Sequence, residues 1–232
     1  MRRLDYIAHY GILGMKWGIR RFQNEDGSLT PAGKKRYGNS IISKANSKNL
    51  EKWGKSADTN VLYITGQSGS GKSTAALSLA DKSTSVIHLD SYFDNPDGPH
   101  SKSFDSFLQK NCPDYVKLSW PKDQISLTDW GKVASKFEKQ IEAFGQSEYK
   151  NGNKVICEGV QLLDDTLRPD KSFFSSKPVI VTNTNPVVSA YRSAKRDDVR
   201  LRDVNDLVNT INWYRETGND VKAFNKTVGM RR

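Results

Sequence analysis

The chain has 232 residues, of which 36 are Lys or Arg and 26 are Asp or Glu, so its formal net charge is +10 at pH 7. No apolar run approaches the roughly 18 residues of a membrane-spanning helix, and we expect no membrane association. The two cysteines, Cys112 and Cys157, are too few for a disulfide scaffold or a cysteine-based zinc site and favour a reducing, intracellular compartment.

The positive charge is concentrated in the first quarter of the chain. Residues 1–58 contain 12 basic and 5 acidic residues, a net charge of +7, which leaves +3 for the other 174 residues. We therefore divide the chain into three parts: a small basic N-terminal extension at 1–38, a linker or loosely helical connector at 39–60, and a globular domain at 61–232. Aromatic residues interleave with the basic ones, which suits nucleic acid, a partner protein or a solvated extension.

Beyond residue 60, short apolar runs alternate with helical patterns. The apolar runs predict four buried strands, at 61–64, 86–89, 154–157 and 179–182. Helices are predicted at 73–80, 127–144, 186–199 and 204–224. Gly145 is expected to end the second helix, Gly218 to break the last, and residues 91–126 to form a long, loop-rich insertion. This alternation predicts an α/β sandwich around a mainly parallel sheet.

A glycine-rich turn follows the first predicted strand. Its sequence, GQSGSGKS at 66–73, fits the Walker A pattern G-x-x-x-x-G-K-[ST]. The glycines let successive N–H groups converge on phosphate oxygens, and the next helix adds its positive N-terminal end. Lys72 is expected to reach the β- and γ-phosphates of ATP, and Ser73 to bind Mg²⁺. The expected nucleotide-binding residues are Gly66, Gln67, Ser68, Gly69, Ser70, Gly71, Lys72, Ser73 and Thr74.

Two acidic residues follow predicted strands at the edge where open α/β sheets bind ligands. Asp90 comes after the second strand and could accept a proton from a substrate hydroxyl or hold Mg²⁺. Glu158 ends the third strand, a Walker B-like placement from which it could position a Mg²⁺-bound water. The predicted metal ligands are therefore Ser73, Asp90 and Glu158. The alternative is that Asp90 caps a turn and that Glu158 pairs with a surface lysine.

A basic cluster follows the fourth predicted strand. Arg192 and Arg196 are four residues apart and share one face of a predicted helix. A mobile segment that carries them would neutralise charge on a transferring phosphoryl group as it closes on ATP. Together with Lys72 and Asp90 they form the predicted catalytic set. A solvated basic face paired with neighbouring aspartates is the other interpretation.

These motifs resemble those of P-loop kinases of the uridine kinase and phosphoribulokinase type. The resemblance is carried by GQSGSGKS (66–73), LDSYF (89–93), VICEG (155–159) and NPVVSAYRSAKRD (185–197). It implies a P-loop NTPase three-layer sandwich and transfer of phosphate from Mg·ATP to a hydroxyl of a small substrate. By the same resemblance Asp90 matches the general base and Glu158 the family's F-E-G glutamate. Arg192 and Arg196 match the lid arginines.

The N-terminal extension has a separate resemblance. Residues 9–37, which begin HYGILGMKWGIRRFQ, are similar to a segment of phage and prophage proteins of Gram-positive bacteria, often attached to head or virion-associated proteins. The likeness implies that residues 1–38 dock onto a phage head or another virion protein. A phage-encoded enzyme of this kind would act in the host cytoplasm or associate with the virion.

The sequence therefore predicts a kinase that uses ATP and Mg²⁺ and phosphorylates a small molecule, nucleoside or nucleotide. Zeta-type toxins, which phosphorylate activated amino sugars, share the same core layout. Two other functions stay open. One is a virion-associated structural or interaction protein with a vestigial nucleotide site. The other is a polynucleotide 5′-hydroxyl kinase, which the net charge of +10 favours.

Overall fold

The computed structural model describes residues 30–33, 44–93, 98–112, 127–163, 171–190 and 204–228. Within them lie four strands: β1 (Val61–Gly66), β2 (Thr84–His88), β3 (Lys154–Glu158) and β4 (Val179–Thr182). The strands form one sheet in the order β2-β3-β1-β4, and all neighbouring pairs are parallel. The prediction of an α/β fold around a parallel sheet is confirmed.

Six helices accompany these strands in the described ranges. They are α1 (Lys44–Lys52), α2 (Lys72–Leu79), α3 (Leu89–Phe93), α4 (Lys102–Asn111), α5 (Leu127–Lys150) and α6 (Val204–Thr227). Shorter helical turns lie at Pro31–Gly33, Ala57–Thr59, Val160–Leu162, Lys171–Ser175 and 186–190. None of the helices in the described ranges has the length and apolar character needed to cross a membrane.

The alternating side chains of β1 build a separate core on each face of the sheet. Leu62 and Ile64 are fully buried on the face that packs against α2. Val61 and Tyr63 point to the opposite face and join an aromatic-rich core that includes Phe137 of α5. Because helices cover both faces, the ends of the strands are the parts of the sheet left to form a site.

Part of the region 91–126, which was expected to be a loop-rich insertion, is helical, so that prediction is wrong for residues 91–93 of α3 and for α4. Ser101 caps α4 by accepting a hydrogen bond from the backbone N–H of Phe104. Phe104 and Leu108, one helical turn apart, are buried in the core. The surrounding polar residues hid this spacing in the sequence. Residues 94–97 and 113–126 lie outside the described ranges.

The stretch 44–60 packs against the sheet. Asn49 in α1 donates a hydrogen bond from Nδ2 to the carbonyl oxygen of Val179 at 2.8 Å. The indole N–H of Trp53 donates to the carbonyl oxygens of Asn60 and Val155 at 3.0 and 3.1 Å. The described part of the predicted linker or connector, residues 44–60, therefore contributes contacts to the α/β unit.

Gly218 does not break α6, contrary to our expectation. The helix is continuous, and its residues Tyr214 and Val221 are buried on either side of this glycine. A glycine inside a helix costs only about 1 kcal/mol relative to alanine, which tertiary packing can offset. A Cβ added at Gly218 would lie 3.5 Å from Nε2 of Gln67, so α6 passes beside the glycine-rich loop.

Gly145 does not end its helix either, because α5 continues to Lys150. A Cβ added at Gly145 would lie 2.3 Å from Cγ2 of Val61. The glycine therefore lets α5 approach β1 closely, and it is a packing residue. The chain leaves the helix further on, where Gly152 has a φ of +76°.

Gly145→Ala is expected to destabilise the protein by about 1–3 kcal/mol, although alanine is the better helix former. The added methyl group would overlap Val61, and urea unfolding measures the loss. In a Val61→Ala background the overlapping atom is gone, so the same change at Gly145 should cost nothing or stabilise. Equal costs in both backgrounds would contradict the close approach.

The two cysteines differ in their surroundings. Cys157 lies fully buried in β3, and burial, with a smaller contribution from Glu158, raises the pKa of its thiol well above the usual range. Cys112 is half-buried at the end of α4. At pH 8 iodoacetamide should therefore label Cys112 in the native protein and both cysteines in urea, as mass spectrometry would show. Labelling of native Cys157 as fast as Cys112 would contradict this packing.

Candidate functional site

The glycine-rich loop joins β1 to α2 at the carboxyl end of the sheet. Gly66, Gly69 and Gly71 have φ values of +144°, +72° and +95°, a region that side chains other than glycine rarely adopt. A Cβ at Gly66 would lie 2.0 Å from the carbonyl oxygen of Thr182, whereas one at Gly71 would meet no atom within 4 Å. The hydroxyl of Ser70 also hydrogen-bonds that of Thr182 at 2.6 Å. The loop is thus pressed onto β4 on one side and open on the other.

Lys72 is the first residue of α2, and its side chain is folded back over the loop. It is buried, with an exposed fraction of 7%, and Nζ donates to the carbonyl oxygen of Gln67 at 3.2 Å. The N–H of Ser70 donates to the same carbonyl at 3.1 Å. The ammonium group and the positive end of α2 therefore meet at one loop, an arrangement suited to a polyanion such as a nucleotide phosphate chain.

The side chain of Gln67 ties the loop to the chain that follows β4. Gln67 is only 1% exposed. Its amide nitrogen donates to Oδ1 of Asn183 and to the carbonyl oxygen of Thr184, and its own oxygen accepts from the hydroxyl of Ser189 at 3.1 Å. The other predicted loop contacts, Ser68 and Thr74, are half-buried. The run of Thr and Asn directly after β4 is the sequence signal that could have indicated this network.

Ser73 and Glu158, two of the three predicted metal ligands, are in contact. Ser73 is exposed, its hydroxyl donates to Oε1 of Glu158 at 3.0 Å, and Nδ1 of His88 lies 2.6 Å from the same oxygen. Glu158 is 3% exposed, and within the described part of the chain its Oε2 atom has no hydrogen-bond partner. A buried polar atom left unsatisfied costs about 1–3 kcal/mol. A cation, or a water bound to one, would remove that cost.

Oxygen ligands of this kind fit Mg²⁺, which takes one or two carboxylates and fills its other positions with water and substrate phosphates. The described ranges contain no group of three or more His, Cys, Asp or Glu side chains that could hold a metal on their own. Ser73 and Glu158 would therefore hold the cation only together with a bound nucleotide.

Asp90 lies near the start of α3 and is exposed. Its Oδ1 accepts a hydrogen bond from Nε2 of Gln161 at 2.8 Å. Gln161 sits in the helical turn after β3, and a Cβ at Gly159 would lie 2.4 Å from its Oε1, so the glycine makes room for it. Of the three predicted metal ligands, Ser73 and Glu158 are in direct contact, whereas Asp90 is held by Gln161.

Two residues of this region, His88 and Gln161, were not predicted from the sequence. Two residues that were predicted, Arg192 and Arg196, are not among the residues that the structure describes. His88 and Gln161 contact the predicted acids, and His88 is the β2 residue in register with Glu158 of β3. Arg192 and Arg196 lie in the gap between the described ranges 171–190 and 204–228.

Comparison with known proteins finds a family match at the N-terminus. A family of unknown function (DUF7211) matches residues 4–24, inside the basic N-terminal extension and outside the described residues. No curated protein and no solved structure matches the chain. The family match therefore concerns a short N-terminal segment and does not include the α/β unit.

Proposed function

We propose that the protein is a P-loop kinase that transfers the γ-phosphoryl group of Mg·ATP to a hydroxyl of a small molecule or nucleotide. The observation that carries the proposal is the loop at 66–73. Its glycines adopt positive φ values, its lysine folds over it, and Ser73 contacts a buried acid at the end of a neighbouring strand. These features are those that a Walker A sequence requires for phosphate binding.

Each residue has a proposed role in this reaction. The loop would hold the phosphates, Lys72 would neutralise charge on them, and Ser73 with Glu158 would hold Mg²⁺. The cation, when bound, supplies charge neutralisation at the phosphoryl oxygens. Asp90 is exposed at the same end of the sheet, where it would accept the proton of the acceptor hydroxyl. Arg192 and Arg196 are proposed to stabilise charge on the transferring group.

Asp90→Asn tests the assignment of the general base. The amide still accepts a hydrogen bond from Gln161 but cannot take a proton, so kcat should fall about 10²- to 10⁴-fold with the KM for ATP unchanged. Transfer from ATP labelled at the γ-phosphate measures both constants. Asp105→Asn, a matched change at the carboxylate that accepts from Tyr92, should leave kcat within about twofold. A normal kcat in Asp90→Asn would rule out the proposed base.

The second candidate acceptor is the 5′-hydroxyl group of a polynucleotide, which the net charge of +10 favours. Binding of this kind releases counterions, so its affinity falls steeply with salt. Titrating a 5′-hydroxyl oligonucleotide at two salt concentrations separates this alternative from a small acceptor. Weak and salt-insensitive binding would leave the small-molecule kinase as the proposal.

A further inference from the structure

The register of the sheet places a histidine beside the predicted metal-binding acid. His88 and Glu158 are the last residues of β2 and β3, and they face each other across this parallel pair. Their side chains are shielded from water, with exposed fractions of 13% and 4%. The distance of 2.6 Å between Nδ1 and Oε1 is that of a short hydrogen bond.

The two oxygens of Glu158 are in different situations. Oε1 accepts from both His88 and Ser73, whereas Oε2 has no partner among the residues that the structure describes. An ionised carboxylate only accepts hydrogen bonds, so with Glu158 in that form Nδ1 of His88 would be the donor. Two contacts on one oxygen fix the plane and the rotation of the carboxylate, and they leave the buried Oε2 without a partner in the described part of the chain.

From this asymmetry we infer that His88 is a positioning residue that holds Glu158 with Oε2 free for Mg²⁺ or a water bound to it. The inference deepens the proposed function and rests on it, since the cation arrives with ATP. Ser73 alone would be a poor anchor because it is an exposed residue and its hydroxyl is itself a proposed ligand of the metal. His88 lies at the end of a strand and is not a proposed metal ligand, so it sets the orientation of the Glu158 carboxylate before the nucleotide binds.

The test compares ATP binding with and without Mg²⁺ in variants of His88. Isothermal titration should show the Kd for ATP in excess Mg²⁺ rising about tenfold in His88→Ala, as is typical when a partner of a metal ligand is lost. In EDTA the Kd of the same variant should equal that of the wild type. A purely structural role would shift both values together, so the difference between the buffers is the informative readout.

Two conservative variants locate the effect at one nitrogen. The amide nitrogen of asparagine lies near the position of Nδ1, whereas that of glutamine extends toward Nε2. His88→Asn should therefore restore most of the Mg²⁺-dependent affinity, and His88→Gln should not. Both side chains fill much of the space of the ring, which keeps the comparison valid if His88→Ala folds poorly. His100→Ala, at an exposed histidine that neighbours Asp105, is the matched control and should bind like the wild type.

The possible failures are distinguishable. If the wild type binds Mg·ATP and all His88 variants bind it equally well, the inference is overturned and the kinase proposal stands. Equal affinities of His88→Asn and His88→Gln, both below that of the wild type, would also overturn the role of Nδ1. If the wild type binds ATP in neither buffer, the proposed function fails, and the inference fails with it.

Discussion

Lys72→Met is expected to lower phosphoryl transfer by at least about a hundredfold, the loss typical when one preorganised charge-stabilising group is removed. The ammonium group now lies over the loop, 3.2 Å from the carbonyl oxygen of Gln67, and in the proposed complex it would turn to the phosphates. Methionine fills the same space without the charge. Initial rates of ADP formation at saturating acceptor measure the effect.

The fold should survive this change, because Lys72 is buried at the loop and an apolar chain of similar length replaces it. Urea unfolding midpoints of the variant and the wild type should therefore agree closely. Lys82→Met, at the exposed lysine that follows α2, is the control for loss of charge and should keep the wild-type rate. A normal rate of transfer in Lys72→Met would show that Lys72 does not take part in the reaction.

Gly66→Ala should have the largest effect on stability, a loss of roughly 3 kcal/mol or more. The added Cβ would lie 2.0 Å from the backbone oxygen of Thr182, and φ at this position is +144°. Because the obstructing atom belongs to the main chain of β4, a side-chain rotation cannot relieve the overlap. Urea unfolding monitored by circular dichroism gives the free energy of unfolding.

Gly71→Ala is the matched control within the same loop. Its φ of +95° is also unfavourable for alanine, but the new Cβ would meet no atom within 4 Å. The expected loss in the free energy of unfolding is therefore only the cost of placing alanine in a left-handed backbone conformation, about 1–2 kcal/mol. If the two variants lost equal stability, the packing of the loop against β4 would not be the reason for glycine at position 66.

The elements that the sequence predicted well are those whose signal is local. Each of the four strands was predicted from a short apolar run, and the structure has a strand at each of these runs. The failures at Gly145 and Gly218 have a different origin, since glycine was interpreted as a helix terminator. In the fold Gly145 lies beside Val61, and Gly218 lies beside Gln67. These residues are far apart in the chain, so a local sequence pattern does not reveal the contacts.

The same distinction applies to the candidate site. The loop and the acid Glu158 are visible in the sequence because both lie where a strand ends, and the ends of parallel strands meet at one edge of the sheet. His88 and Gln161 became visible only through the register of β2 with β3 and the turn after β3. Predicting them requires knowing that these two strands are neighbours, although 65 residues separate their ends at His88 and Lys154.

Acceptor-dependent release of ADP from Mg·ATP is the measurement that tests the central claim most directly. The panel would contain nucleosides, nucleotides, amino sugars and a 5′-hydroxyl oligonucleotide, each with the wild type and with Lys72→Met. The account predicts that one acceptor class raises ADP release in the wild type and not in the variant. Absence of ATP binding by the wild type, with no acceptor raising ADP release, would contradict it.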